Sequence, residues 1–151
     1  MKIQLRSVQR QDATRLGVLL DQLGYPTDLD AVNERLDYWL DDPASFLLGA
    51  DVDGELVGVA GLHILPFLEM TGKFGRLLAL VVDDRRRSHG VGRQLVGVAE
   101  ERARAAGCIR MEVSSSRRRD SAHRFYRSIG YDDTCGVSAR FIKVLAAPTS
   151  G

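Results

Sequence analysis

Few residues in this sequence suit covalent or metal scaffolding. Of 151 residues, two are cysteine, one is tryptophan and four are proline. Cys108 and Cys135 are too few and too far apart for a disulfide framework or a zinc site, so both are expected reduced, Cys108 as a buried strand thiol. His63, His89 and His123 fall at no ligand spacing, and no metal is expected. Neither sign of charge dominates: 21 Lys and Arg stand against 20 Asp and Glu, a formal net charge of +1. That balance gives no general attraction to nucleic acid, despite the basic runs Arg85-Arg86-Arg87 and Arg117-Arg118-Arg119. No stretch approaches the roughly 20 apolar residues of a membrane span. Met1-Lys2-Ile3-Gln4 lacks a signal-peptide core, so no membrane partner and a cytoplasmic location are expected.

The chain does have enough apolar matter for one core, 44% of 151 residues. A single domain over residues 1–146 follows, with a short tail at 147–151. Residues 2 to 8 read as a strand. Leu16, Leu19, Leu20 and Leu23 form a helical stripe that Gly24-Tyr25-Pro26 ends, and Thr27 with Asp30 fits a capping box for a second helix bearing Leu29, Val32, Leu36, Trp39 and Leu40. Asp53-Gly54 between residues 46–52 and 55–65 is a hairpin signal. A strand over 74–82, continuous enough in its second half to be covered on both faces, precedes a helix with Val91, Leu95, Val98, Ala99, Ala103 and Ala106 on one side. Ile109, Met111 and Val113 then alternate with Arg110 and Glu112 in a strand expected to run parallel to the preceding one. A short helix near 120–129, a Gly130 stop, and strands near 131–134 and 138–145 complete the reading.

The most informative stretch is Arg87-Ser88-His89-Gly90-Val91-Gly92, set between the apolar run Leu77 to Val82 and the long helix. Glycines there let main-chain N–H groups approach an anion while the helix directs its free N–H groups to the same place, and diphosphate suits both. The third glycine of a dinucleotide fingerprint is missing, and so is a Gly-Lys-Ser/Thr.

The pattern, Arg87 with Gly90 and Gly92, resembles the acyl-CoA signature of the GNAT superfamily of N-acetyltransferases, Gln/Arg-x-x-Gly-x-Gly/Ala. A second match follows downstream, where Ala122 to Tyr131 resembles the family's short helix and its Tyr-x-x-x-Gly-Phe/Tyr ending. The resemblance implies an α/β (α+β) fold: a mixed, mostly antiparallel central sheet with a splayed parallel strand pair, flanked by about four helices. It implies transfer of an acetyl group from acetyl-CoA, as co-substrate, to an amine by direct attack in a ternary complex, with no metal. A non-catalytic acyl-CoA-sensing module is the alternative.

For the site, the resemblance implies cofactor contacts from the backbones of Leu80 and Val82, from Arg87, Ser88, His89, Gly90, Val91, Gly92 and Arg93, and from Arg127 near the adenosine end. Ser88 stands where many members have glycine. Tyr126 is the implied general acid, its hydroxyl beside the CoA sulfur. Full proton transfer from a phenol to a thiolate is uphill by about 2 kcal/mol at reference values, so a positioned hydrogen bond is the minimal role. A lysine-like amine must lose a proton at a cost of about 4.6 kcal/mol at pH 7. Glu69 is the base named here, with His63, Glu112 and a water relay left open, since residues 74–82 carry no acid. The acceptor, a small molecule or a peptide amine, would contact loops such as 23–28 and 134–138, and a homodimer through the last strands is open.

Overall fold

The computed structural model describes residues 2–114 and 120–147. These divide into two compact units that meet in sequence at Val113 and Ser114. The first contains β1 (Gln4–Ser7), α1 (Ala13–Leu23), α2 (Leu29–Asp41), β2 (Ser45–Val52), β3 (Glu55–Pro66), β4 (Lys73–Val82), α3 (Val91–Ala105) and β5 (Cys108–Val113). The second contains α4 (Asp120–Ser128).

The five strands form one sheet in sequential order. Strands β1 to β4 pair antiparallel, and β4 with β5 parallel. The β2–β3 hairpin turns at Asp53 and Gly54, both at positive φ (54° and 86°), the pairing of angles a two-residue turn between twisted strands requires. Asp51 secures it by accepting from the Gly54 N–H at 2.7 Å. Helix α1 ends at Gly24 in the left-handed region (φ 107°). The start of α2 differs from expectation: Asp28 is the cap, accepting from the Ala31 N–H at 2.8 Å, while the Thr27 hydroxyl is buried without a hydrogen bond. A carboxylate is the stronger acceptor at the positive end of a helix.

Opposite faces of the sheet carry different helices. Leu16 and Leu19 of α1 and Val32 and Leu36 of α2 share a core with Val59 and Val81. A Cβ on neighbouring Gly58 would sit 3.0 Å from both Val91 and Leu95, which places α3 on the other side. Each fully buried Leu of this double core contributes about 1.5–3 kcal/mol. The buried stripe of α3 is Val91, Leu95, Val96, Ala99 and Ala103.

Two irregularities position the site. In β4, Gly61 pairs with Ala79 but Leu62 with Leu77, leaving Leu78 as an unmatched bulge. The parallel ladder to β5 ends at Leu77↔Val113, so residues 78–82 have no partner in β5. Strand β5 itself ends there, at Val113. Leu78 is 53% exposed, which corrects the expectation of a strand covered on both faces, because the bulge interrupts the alternation. In β5, Lys73 pairs with Cys108 and Phe74 with Arg110, skipping Ile109. Ile109 is exposed where an inward residue was expected, and Cys108 is half-buried, with desolvation pushing its thiol pKa up.

In the second unit, Gly130 (φ 96°) stops α4 and the Tyr131 N–H donates to the Tyr126 carbonyl at 3.0 Å. Among the described residues, the strands expected near 131–134 and 138–145 are not formed. A strand exists only through a hydrogen-bonded neighbour. Here the Val137 and Ser138 N–H groups instead donate locally to the Thr134 carbonyl, each at 3.0 Å. Arg117, Arg118, Arg119 and residues 148–151 of the expected tail lie outside the described residues.

Candidate active site

The turn after β4 is built on a buried acid. The Asp83 side chain is 1% exposed and receives Arg15 Nη2 at 2.7 Å and Arg85 Nη2 at 2.9 Å, while the Arg85 backbone N–H donates at 3.1 Å. Its own N–H donates to the Val57 carbonyl at 2.8 Å. The Arg85 guanidinium, then Arg15, hold the carboxyl far below the usual range against the opposing effect of burial. Sequence reasoning missed Asp83, since Arg15 stands 68 positions away. The available signal was an acid directly after an apolar strand.

From this anchor the chain passes through one 3-10 turn (Asp84–Arg86) and then twice into the left-handed region, at Ser88 (φ 68°) and Gly90 (φ 81°). The serine holds a conformation that glycine adopts without cost. His89 Nδ1 lies 2.9 Å from the Arg87 carbonyl and 3.1 Å from that of Arg86, so a protonated Nδ1 closes the loop on itself. Helix α3 makes its first main-chain bond from the Gln94 N–H to the Gly90 carbonyl at 3.1 Å. The N–H groups of Val91, Gly92 and Arg93 precede that bond, and no side chain caps the helix. A Cβ built on Gly90 meets no heavy atom within 4 Å. The turn therefore leaves the free N–H groups of a helix start beside open space at Gly90, which suits a diphosphate.

The structure brings Val82, Arg87, Ser88, His89, Gly90, Val91, Gly92 and Arg93 into one turn, with Leu80 two residues back on the part of β4 that β5 does not reach. Arg87 pairs with Asp84 at 2.8 Å, and its Nε donates to the Val82 carbonyl at 3.4 Å.

His63 sits elsewhere on the sheet, on the face that Trp39 of α2 covers at Gly61. The Ser45 hydroxyl donates to Asp42 Oδ2 at 2.7 Å and lies 2.9 Å from His63 Nδ1. A hydroxyl has one proton, so His63 must donate from Nδ1 to Ser45, which leaves Nε2 as a lone-pair acceptor. The Ala44 backbone N–H and the Ser45 hydroxyl hold the Asp42 carboxyl below its usual range. Glu69 is exposed in the 67–72 turn, which the Phe67 N–H closes on the Gly72 carbonyl at 3.0 Å. Glu112 is bound by two arginines. Residues Pro26 and Thr27, from the loop expected to meet the acceptor, line a cleft of about 470 Å³ between α1 and α2.

Within the second unit, Tyr126 packs edge-on to Phe125 and Tyr131, with ring centroids 5.3 and 5.9 Å apart. Arg127 faces Asp133 at 3.6 Å. Among the described residues, no three His, Cys, Asp or Glu side chains gather as metal ligands, and no helix is long and apolar enough to cross a membrane.

A mixed sheet with one parallel pair, followed by a glycine-started helix, is the arrangement that the resemblance implied. The sequence pattern of the acetyltransferase (GNAT) family matches residues 14–131, and the chain belongs to that family. It is 35% identical over 130 residues, 80% of this chain and 82% of the relative, to aminoalkylphosphonate N-acetyltransferase of Salmonella typhimurium strain LT2. Among solved structures it is similar to a GNAT family acetyltransferase of Staphylococcus aureus, with 26% identity, a TM-score of 0.80, and coverage of 96% of this chain and 100% of that one. An aminoglycoside N-acetyltransferase in complex with CoA shares the fold, with a TM-score of 0.84 at 18% identity and coverage of 96% of both chains. The chain is thus an acetyltransferase enzyme, and its family and relative support N-acetylation.

Proposed function

We propose that this enzyme transfers the acetyl group of acetyl-CoA to a small-molecule amine by direct attack within a ternary complex. The observation that carries this reading is the uncapped start of α3 at Gly90, reached from a strand whose last residues, 78–82, have no partner in β5. The diphosphate is held by the N–H groups of residues 88–93. The pantetheine amides pair with the backbone of Leu80 and Val82, left without a β5 partner. Arg87 exchanges its exposed pairing with Asp84 for phosphate, and Arg127 serves the adenosine end.

The substrates must also exchange protons. Tyr126 is the group proposed to stabilise the departing thiolate. For the amine proton, Glu69 and His63 are the candidates. His63 is favoured, because the Asp42 and Ser45 hydrogen bonds fix its ring and present Nε2 as an acceptor. The acceptor of the Salmonella relative, an aminoalkylphosphonate, is the first compound class to try.

The test is acceptor-dependent release of free thiol from acetyl-CoA, with the N-acetylated product identified by mass spectrometry. Stoichiometric acetylation of Cys108 or Cys135 during turnover would contradict direct transfer.

A further inference from the structure

One rung before the last pair of the β4–β5 ladder, two guanidiniums share one carboxylate. Arg76 Nη2 lies 3.1 Å from Glu112 Oε1, and Arg110 Nη2 lies 2.9 Å from Oε2, with Arg110 Nε also donating to Oε2 at 3.1 Å. Glu112 can neutralise one cation, so one positive charge remains. Among the described residues, Arg76 Nε and Nη1 and Arg110 Nη1 have no protein partner.

The three side chains share a face. A Cβ on Gly75 would run into Met111 Sδ and Ala103 of α3, so Arg76, Arg110 and Glu112, one step away in each strand, project from the opposite side. His63, the register partner of Arg76, projects there too. Beneath the guanidiniums lies an aromatic floor: Phe67 and Phe74 have ring centroids 4.8 Å apart. The Arg110 guanidinium stands 4.8 Å over Phe67 and that of Arg76 5.8 Å from Phe74. Both arginines are braced but reachable, with side chains 46% and 55% exposed. Exposed ion pairs add little to stability, so stability does not account for two arginines gathered on one acid.

We propose that Arg76 and Arg110 form the acceptor subsite for a tetrahedral oxyanion, a phosphonate or phosphate group carried by the amine substrate, with Glu112 positioning both guanidiniums. Two planar forks with free N–H groups match such an oxyanion through charge-assisted, paired hydrogen bonds. The pair Arg76↔Glu112 is the rung directly before the last one, Leu77↔Val113. Because His63 is the register partner of Arg76, a short alkyl chain carries the amine of an anion held here toward the proposed base. The inference rests on the N-acetylation reading and names the substrate class for it. The aminoalkylphosphonate acceptor of the Salmonella relative has the same two groups.

The test uses three amines of similar length: 2-aminoethylphosphonate, β-alanine and propylamine. Wild type is expected to show a kcat/KM for 2-aminoethylphosphonate more than about tenfold above that for propylamine. Arg76→Gln and Arg110→Gln each collapse that ratio, and the Lys variants restore part of it. Calorimetric binding of 2-aminoethylphosphonate to the CoA-saturated protein reads the subsite without turnover, and it should weaken more than about tenfold in either Gln variant whose circular dichroism is native. Equal wild-type rates for the three amines, a preference for β-alanine, or an unchanged ratio in both folded Gln variants overturns the proposal. Arginine-dependent phosphonate binding without acetylation of any amine would uphold the subsite and sink the transfer reading. Turnover of neutral amines without phosphonate preference would do the reverse.

Discussion

The two ends of β4 bear opposite kinds of chemistry. Beyond Val82, charge is buried: Asp83 is enclosed by Arg15 and Arg85, and what faces open space past Gly90 is main chain. Toward Lys73, charge is exposed: Arg76, Arg110 and Glu112 stand on an aromatic floor. A main-chain cradle recognises a group common to every acyl-CoA, and it tolerates side-chain change so long as its backbone is pinned. An exposed side-chain cluster can be re-specified by one substitution. The first end is thus suited to a shared co-substrate, and the second to selecting one acceptor.

This contrast can be broken from either side. At the acceptor end, His63→Gln is expected to lower kcat about 100-fold while leaving the affinity for acetyl-CoA intact, because a positioned base contributes on that order. The pH–rate profile is the decisive readout, since the acidic limb should vanish with the base. If Glu69→Gln removes that limb and His63→Gln keeps it, the turn glutamate is the base.

At the cradle end, Asp83→Asn is expected to cost about 1–3 kcal/mol in chemical denaturation at neutral pH, since it removes the buried carboxylate that accepts from Arg15 and Arg85. The sign of the pH dependence follows from the depressed carboxyl of the native state. Its contribution is fully present above the unfolded-state value of about 3.9 and is lost as pH falls through the native one. The variant should therefore lose less stability than wild type on acidification. Equal acid slopes would remove Asp83 as the anchor. A smaller effect is expected of Tyr126→Phe, which belongs to neither end: kcat should fall about tenfold with acetyl-CoA affinity retained. Unchanged turnover would end the proposed acid role.

Local signals in the sequence were the ones that carried through. Asp53-Gly54 specified its hairpin, the apolar stripe specified α3, and Gly90 proved to need positive φ. What escaped were features made by distant parts of the chain. The bulge at Leu78 exists only against Leu62 and Ala79's partner Gly61. The Asp83 anchor needs α1, and the His63 hydrogen bonds need the end of α2 and the start of β2. Residues 138–145 have strand-like composition, yet composition cannot supply the neighbour a strand requires, and none pairs with them among the described residues. Ile109 shows the same limit on a smaller scale, since one skipped rung turned an inward position outward.

The central claim, a main-chain cradle for the diphosphate of acetyl-CoA, is tested most directly by calorimetric titration of wild type and Gly90→Asp with acetyl-CoA. The substitution puts an anion and a strained side chain at φ 81° in the turn. The account predicts saturable binding by wild type and a loss of more than about 100-fold in a still-folded variant, as expected when a like charge is set directly against the phosphates. Equal affinity in the two proteins, or no binding by wild type, would contradict it.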